Sequence, residues 1–286
     1  MKPAAFEYHR PATVSDAVAL LAELGDEGKV LAGGQSLVPL LSMRLANPEH
    51  IVDINAIAEL GYVRVQGSAV HLGALARHRT VERSTEATAQ PLLAQALAFV
   101  AHPTIRNRGT TLGSIVHADP SGEMTAVIAL LDGSVRIASA AGERVVAAAD
   151  FFPGPLESAV EPGELAVEAM VPVAPARTGS AFVEVSRRHG DYAVCGVGAV
   201  VTLDESGSVA SARLGFISVS PTPLVLDVTS VDPQDAIALA DLVTGQVTPN
   251  GDIHATADYR RHLAGVLAVR AIGDAARRAG CSEVAA

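Results

Sequence analysis

Two glycine-containing stretches carry residue types that could hold a ligand. The first is Val30-Leu31-Ala32-Gly33-Gly34-Gln35-Ser36-Leu37. An apolar segment runs into two glycines and a polar pair, then into a helical pattern, an order that reads as strand, tight turn, helix. Without a Cβ, glycine can take positive φ and lets a ligand press against the backbone. Ser36 is placed to cap the helix, and Pro39 falls in its first turn, where a missing N–H matters little. Successive amides in such a turn face one concavity at the positive end of a helix, a natural seat for a phosphate or pyrophosphate. An ordinary strand-to-helix turn is the plainer reading. The stretch is neither a Walker loop nor a Gly-x-Gly-x-x-Gly fingerprint.

The second stretch, Gly109-Thr110-Thr111-Leu112-Gly113-Ser114, is again small and hydroxylated and is followed by His117, Asp119 and Glu123. Two such loops could clamp a diphosphate from both sides, leaving acids for sugar hydroxyls. His117, Asp119 and Glu123 lack a metal-ligand spacing such as His-Glu-x-x-His, so hydrogen bonding to a ligand is their functional reading and solvated loop acids the plain one. Arg106 or Arg108 could neutralise a phosphate, or simply face solvent. Arg187-Arg188-His189-Gly190-Asp191-Tyr192 is a polar connection between strands; it either carries charges and an aromatic ring to a ligand or only joins them. No Gly-x-Ser-x-Gly elbow is present, and neither Cys195 nor Cys281 sits in a nucleophile motif. Cys195 reads as a small core residue.

Composition narrows the class. Of 286 residues, 49% are apolar and 18% charged, which excludes a disordered chain. A net charge of −10 gives no reason to expect nucleic acid. Two cysteines cannot by themselves ligate an iron–sulfur cluster or a structural zinc. The first residues lack the apolar core of a signal peptide, and no apolar run approaches the ~20 residues of a membrane span. The expectation is a cytoplasmic chain with reduced thiols and no membrane span.

The elements that must position these residues follow from periodicity. Ser15 or Asp16 is expected to cap a helix ended by Gly25, followed by a short buried strand at Lys29 to Leu31. The helix from Leu37 is expected to end near Asn47-Pro48, with a strand at Ile51 to Ile54, so this part forms a small parallel α/β lobe. From Tyr62 hairpins enter: Val63 to Val65 with Val70 to Leu72, and Val135 to Ser139 with Arg144 to Ala148. Between them lie helices at Thr80 to Ser84, Pro91 to Ala101 and Thr125 to Leu131, and a strand follows at Leu165 to Val171. Pro172 to Gly179 reads as a linker. Strands at Ala181 to Val185, Gly196 to Leu203 and Val209 to Val219 follow, then a helix capped by Asp232-Pro233 and a long final helix through Tyr259, Leu263 and Ile272.

Taken together, these motifs resemble the FAD-binding medium subunit of the molybdenum hydroxylases, the family of aerobic carbon monoxide dehydrogenase and of nicotine, caffeine and xanthine dehydrogenases. The resemblance runs nearly end to end. It rests on Phe6-Glu7-Tyr8, Ala32 to Leu37 with Pro39 and Arg44-Leu45-Ala46, and Val52-Asp53-Ile54. It continues through Ile105 to Thr110, Gly113-Ser114, Ala118-Asp119-Pro120 with Glu123, Gly190 to Ala193, and Asp258 to Ala264. Two departures stand out. Leu112 occupies a position where the family often has glycine, and Met124-Thr125 replaces a common apolar–proline pair.

The resemblance implies an α+β chain: a two-lobed FAD-binding domain of the p-cresol methylhydroxylase type at 1–175 (lobes about 1–57 and 58–175), then a C-terminal flavoprotein domain of small antiparallel sheet and helices at 176–286. It implies that Ala32 to Ser36 and Thr110 to Ser114 hold the diphosphate of a non-covalent FAD, and that Asp119 and Glu123 lie by the ribityl and flavin. Leu165 would pack on the isoalloxazine, with Arg187 or Arg188 and Tyr192 near the ring, an arginine there stabilising the anionic reduced flavin. It further implies a small [2Fe-2S] subunit and a large molybdopterin subunit as partners, in a dimer of heterotrimers, with electrons passing through the flavin to an external acceptor. Gln35, where carbon monoxide dehydrogenases usually carry histidine, leans toward an organic substrate. A self-sufficient flavin oxidoreductase and a flavin-free scaffold subunit are the competing readings.

Overall fold

The structure is a computed structural model and describes residues 2–280; Met1 and residues 281–286, Cys281 among them, lie outside the described residues. The chain begins with a small α/β lobe: β1 (Glu7–His9), α1 (Val14–Leu24), β2 (Gly28–Leu31), α2 (Leu37–Met43) and β3 (His50–Asp53). β3 lies between β1 and β2 and runs parallel to both, as the helix–strand alternation implies. β1 carries no local strand signal, because Glu7-Tyr8-His9 has no apolar alternation. The capping residue of α1 is Thr13, whose hydroxyl accepts from the Asp16 amide, so Ser15 and Asp16 lie inside the first turn. Gly25 ends α1 at φ 55, as expected. β2 is half-exposed rather than buried, since it forms an edge of the sheet. α2 stops at Met43, ahead of Asn47-Pro48, because Arg44 turns left-handed (φ 59) and caps the Leu40 and Leu41 carbonyls.

The second lobe comprises β4 (Val63–Gln66), β5 (Ala69–Gly73), α3 (His78–Arg83), α4 (Pro91–Leu97), α5 (Pro103–Arg106), α6 (Thr111–His117), α7 (Glu123–Leu130), β6 (Ser134–Ser139), β7 (Gly142–Ala147), α8 (Ala148–Phe151) and β8 (Leu165–Pro172). Its strands pair antiparallel in the order β4-β5-β8-β6-β7. Both expected hairpins are present. Leu92, Leu93, Leu97, Leu112, Ile115 and Ile128 join the sheet in one apolar cluster that also takes in Leu21 and Val52, so the two lobes share a core. Each such side chain removed from water contributes roughly 1.5–3 kcal/mol.

After Val173–Arg177, β9 (Thr178–Ser186), β10 (Ala193–Leu203), β11 (Val209–Ile217) and β12 (Leu224–Asp227) form an antiparallel sheet in the order β12-β11-β10-β9, followed by α9 (Ala236–Gln246) and α10 (Ala257–Ala279). Leu263, Leu267, Ala271 and Ile272 of α10 fill a second core with Cys195, Val197 and Phe216. Cys195 is fully buried, and burial pushes its thiol up to about 12, consistent with a core role. The backbone of α10 lies directly on β9: a Cβ on Gly179 would stand 2.0 Å from the Ala275 carbonyl oxygen. Asp232-Pro233 does not open α9. The Asp232 carboxylate instead accepts from the Gln234 amide to close a turn, and Asp235 caps the helix through the Ala238 amide. The third part meets the second through the Ser218 amide on the Pro120 carbonyl (2.9 Å), the Ser180 hydroxyl on Gln95 (3.1 Å) and an Arg213–Asp132 ion pair.

Candidate functional site

Val30 and Leu31 end β2, and the chain turns through Ala32, Gly33 and Gly34 before Leu37 opens α2. Gly34 takes φ +73, and a Cβ on Gly33 would stand 2.7 Å from the Arg108 carbonyl oxygen and from the Gly109 Cα. The two stretches singled out by composition therefore meet backbone to backbone. The amides of Gly34, Gln35 and Ser36 donate to no acceptor among the described residues. Gln35 donates from Nε2 to the Gly33 carbonyl (2.9 Å), which stiffens the turn. Ser36 stands at the capping position but makes no capping bond, because its backbone is already helical (φ −98, ψ −47); its hydroxyl stays free. The turn lines a cavity of about 330 Å³ together with Asp53, Asn55 and Arg108.

Two residues that the sequence reading passed over hold this cavity's shape. Asn55 donates to the Ala32 carbonyl (2.8 Å), and Arg77 bridges Asn55 Oδ1 (2.6 Å) and the Arg108 carbonyl (2.5 Å). Arg77 thus ties the first turn to the second stretch. Both are polar residues in unremarkable sequence surroundings, and only the pairing of distant segments reveals them.

The second stretch is mostly helix rather than loop. The Thr110 hydroxyl caps α6 by accepting from the Gly113 amide (3.2 Å). The Thr111 amide bonds the Ala76 carbonyl (3.0 Å), and its hydroxyl meets Nδ1 of buried His78 (3.2 Å). Leu112 is 1% exposed and faces the core, so its side chain lies away from any surface ligand. Gly113, Ser114 and His117 keep accessible surface; at i, i+3 and i, i+4 spacing they share one face of α6.

Acids gather beyond α6. Asp119 accepts from the Ser121 amide (2.8 Å). Burial, with the Asp119 charge adding, raises the Glu123 carboxyl to about 7. Glu184, on β9, is raised to about 8 by burial and by Glu123, and its Oε2 is buried without a partner. In the sequence the one visible signal of Glu184 is that it is a lone acid between Val183 and Val185 in a strand. Leu165 opens β8 and is 2% exposed, packed within the first core. Arg187, Arg188 and Tyr192 lie on the exposed connection between β9 and β10, where Arg187 approaches Asp191 at 3.9 Å and Tyr192 is 72% exposed.

A family model described as the FAD binding domain in molybdopterin dehydrogenase matches residues 4–174, and one described as the CO dehydrogenase flavoprotein C-terminal domain matches residues 180–275. The chain belongs to the FAD-binding subunits of the molybdopterin dehydrogenases. It is 38% identical to the 6-hydroxypseudooxynicotine dehydrogenase complex subunit alpha of Paenarthrobacter nicotinovorans, over 98% of this chain and 97% of that one. With caffeine dehydrogenase subunit beta of a Pseudomonas species it shares 42% identity over 78% of this chain and 76% of that one. Its structure resembles that of reconstituted CO dehydrogenase from Oligotropha carboxidovorans (TM-score 0.92, 35% identity, 97% and 100% covered). It also resembles quinoline 2-oxidoreductase from Pseudomonas putida 86 (TM-score 0.90, 34% identity, 98% and 99% covered). The chain is thus an α+β oxidoreductase subunit that takes FAD as its cofactor. No helix among the described residues is long and apolar enough to cross a membrane.

FAD suits the residues present. A dinucleotide diphosphate needs free amides on a glycine turn, and Gly34 to Ser36 supply them in a cavity that Arg108 also lines. A polar ring system or ribityl chain needs hydrogen-bonding partners, and the orphaned Glu184 carboxyl is one still unused.

Proposed function

We propose that this chain is the electron-relay subunit of a heterotrimeric molybdenum hydroxylase, with residues 1–175 as the FAD-binding domain and 176–286 as the C-terminal flavoprotein domain. The observation that carries the reading is the junction of Gly33 with Gly109, which puts the free amides of one segment beside the helix cap of the other. When bound, FAD takes electrons singly or in pairs and passes them on. The chain's residues bind and orient. Amides of Gly34, Gln35 and Ser36 hold the diphosphate, Arg77 and Asn55 keep the turn in place, and Ser114 and His117 offer hydrogen bonds from α6. Asp119, Glu123 and Glu184 face the ribityl and ring region. At neutral pH the Glu184 carboxyl keeps its proton and can donate it in a hydrogen bond to a ring acceptor. Arg187 or Arg188 supplies positive charge to the reduced ring.

The partners in this reading are a small [2Fe-2S] subunit that delivers electrons and a large molybdopterin subunit that oxidises the substrate, as a dimer of heterotrimers in the cytoplasm. Support comes from relatives whose names mark them as subunits or medium chains of multi-subunit dehydrogenases. The test is the visible spectrum of the purified chain, acid release of its chromophore, and co-purification with the neighbouring subunits. About one FAD per chain and recovery with both partners support the proposal. Colourless protein that fails to take up added FAD would sink it in favour of a scaffold role, and full turnover by the isolated chain would favour a self-sufficient oxidoreductase.

A further inference from the structure

We propose that Glu7, His9 and His50 form a binding site for one divalent transition-metal ion of the zinc type, at the outer edge of the first lobe and separate from the flavin cavity. The sheet register builds it. β1 and β3 pair in parallel with Glu7 opposite His50, and His9 follows Glu7 by two residues, so all three side chains rise from the same face of the sheet. The next residue in that row, on β2, is Gly28, which adds no side chain.

The ligand atoms already converge. His9 Nε2 lies 3.0 Å from His50 Nδ1, and Glu7 Oε2 lies 3.6 Å from the same His50 nitrogen. Zinc bonds of 2.0–2.1 Å at a tetrahedral centre place ligand atoms about 3.3 Å apart, between the two observed separations. A hydrogen bond between the two imidazoles would occupy only that pair and leave Glu7 beyond bonding distance; one cation would engage all three. Two imidazoles and a carboxylate, completed by water, favour zinc and its neighbours over magnesium or calcium, which prefer all-oxygen sites.

The surroundings add charge of the right sign. Glu27, at the end of the short turn after α1, and Glu49, just before β3, also bring carboxylate oxygens within reach of His50, so that Glu27, Glu49 and His50 form a second possible ligand set. His50 is the shared ligand and its side chain is only 18% exposed. The ion would fasten β1, a three-residue edge strand, to the centre of its sheet.

The test uses the untagged full-length chain with its FAD, stripped by a chelator, then titrated with Zn²⁺ by calorimetry and with Co²⁺ by visible absorption. The expected result is about one ion per chain, cobalt bands of tetrahedral intensity, and a flavin spectrum that does not change. His50→Gln and His9→Gln should each weaken binding at least about tenfold, while Glu205→Gln, on a distant turn, should not. Zinc should raise the melting temperature of the wild type and leave that of His50→Gln unmoved. Absence of binding in the wild type, or affinity undiminished in both histidine variants, overturns the proposal. Should a histidine variant fail to fold, Cu²⁺ spin resonance on the wild type reads the ligands directly. Coupling to two imidazole nitrogens supports the site; oxygen-only ligation overturns it.

Discussion

Gly33 packs backbone to backbone against Gly109: a Cβ added to Gly33 would lie 2.7 Å from the Gly109 Cα and 3.0 Å from the Thr110 amide nitrogen. The obstacle is main chain, which cannot swing aside as a flexible side chain would. Gly33→Ala must therefore separate the two segments, at a cost of about 1–3 kcal/mol. The expected outcome is a folded chain with a lowered melting temperature that retains well under one FAD after purification. Measured flavin-to-protein absorbance at the wild-type ratio would show that the junction is not needed to hold the cofactor.

Glu168 is a second fixed point. Only 2% exposed, it accepts from the Tyr62 hydroxyl (2.5 Å) and pairs with Arg64 (3.2 Å), His71 (3.1 Å) and Arg136 (3.1 Å) across four strands. Burial pushes its carboxyl up, but the bonds from Tyr62 and His71 and the Arg136 charge prevail and hold it below the usual value of 4.5. A depressed carboxyl stabilises the fold fully above its unfolded value and loses that contribution as pH falls through the folded one. The melting temperature should thus decline as pH drops below about 4.5, and Glu168→Gln should flatten that decline. At neutral pH the variant should lose about 1.5–3 kcal/mol, since the buried carboxylate gives up its charge-assisted bonds while the part-exposed Arg64 and Arg136 can turn to water. Denaturant unfolding at several pH values checks both; parallel curves for variant and wild type would remove Glu168 from the account.

What the sequence makes legible is whatever depends on local pattern. The Gly33-Gly34 turn, the hairpins at β4–β5 and β6–β7 and the long α10 follow from glycine placement and apolar period. The misses share another cause. β1 is held only by pairing with β3, and Thr110 caps a seven-residue helix whose buried apolar residues, Leu112 and Ile115, are too few to show a period. Arg260 looks like one more exposed arginine in Asp258-Tyr259-Arg260-Arg261. Yet it is 6% exposed and donates to the Val194 carbonyl (2.6 Å), the Ser218 carbonyl (3.2 Å) and Asp252 (2.6 Å), tying α10 to the ends of β10 and β11. Arg77 and Glu184 are hidden in the same way, by partners distant in sequence.

Glu184 offers a pH signature of opposite sign to that of Glu168. Its carboxyl is raised from 4.5 to about 8, first by burial and then by Glu123. Between those values the folded chain binds a proton that the unfolded chain has lost. Stability contributed by this group is therefore complete below the unfolded value, falls as pH rises, and levels off once the folded value is passed. In the FAD-free full-length chain, Glu184→Gln should match the wild type near pH 5 and exceed it near pH 9, by roughly a few degrees in melting temperature. Identical pH profiles would mean that the Glu184 carboxyl is solvated in both states.

The exposed arginines of the β9–β10 connection give the last prediction. Arg187 has only a loose contact with Asp191, at 3.9 Å and with its side chain 61% exposed, and the fold makes little use of it. Removing its charge should scarcely alter stability, since exposed pairs contribute about 0–1 kcal/mol. If the connection delivers positive charge to the reduced flavin, Arg187→Ala or Arg188→Ala makes the reduced state harder to reach. The flavin midpoint potential then falls by about 30 mV for each 1.4 kcal/mol of lost stabilisation in a two-electron couple. Potentiometric titration of the FAD-loaded chain reads this directly, and Arg→Lys should restore much of the shift because the charge is kept. A potential unmoved in both alanine variants would assign the arginines to solvent, and the tuning of the flavin would then rest with Asp119, Glu123 and Glu184.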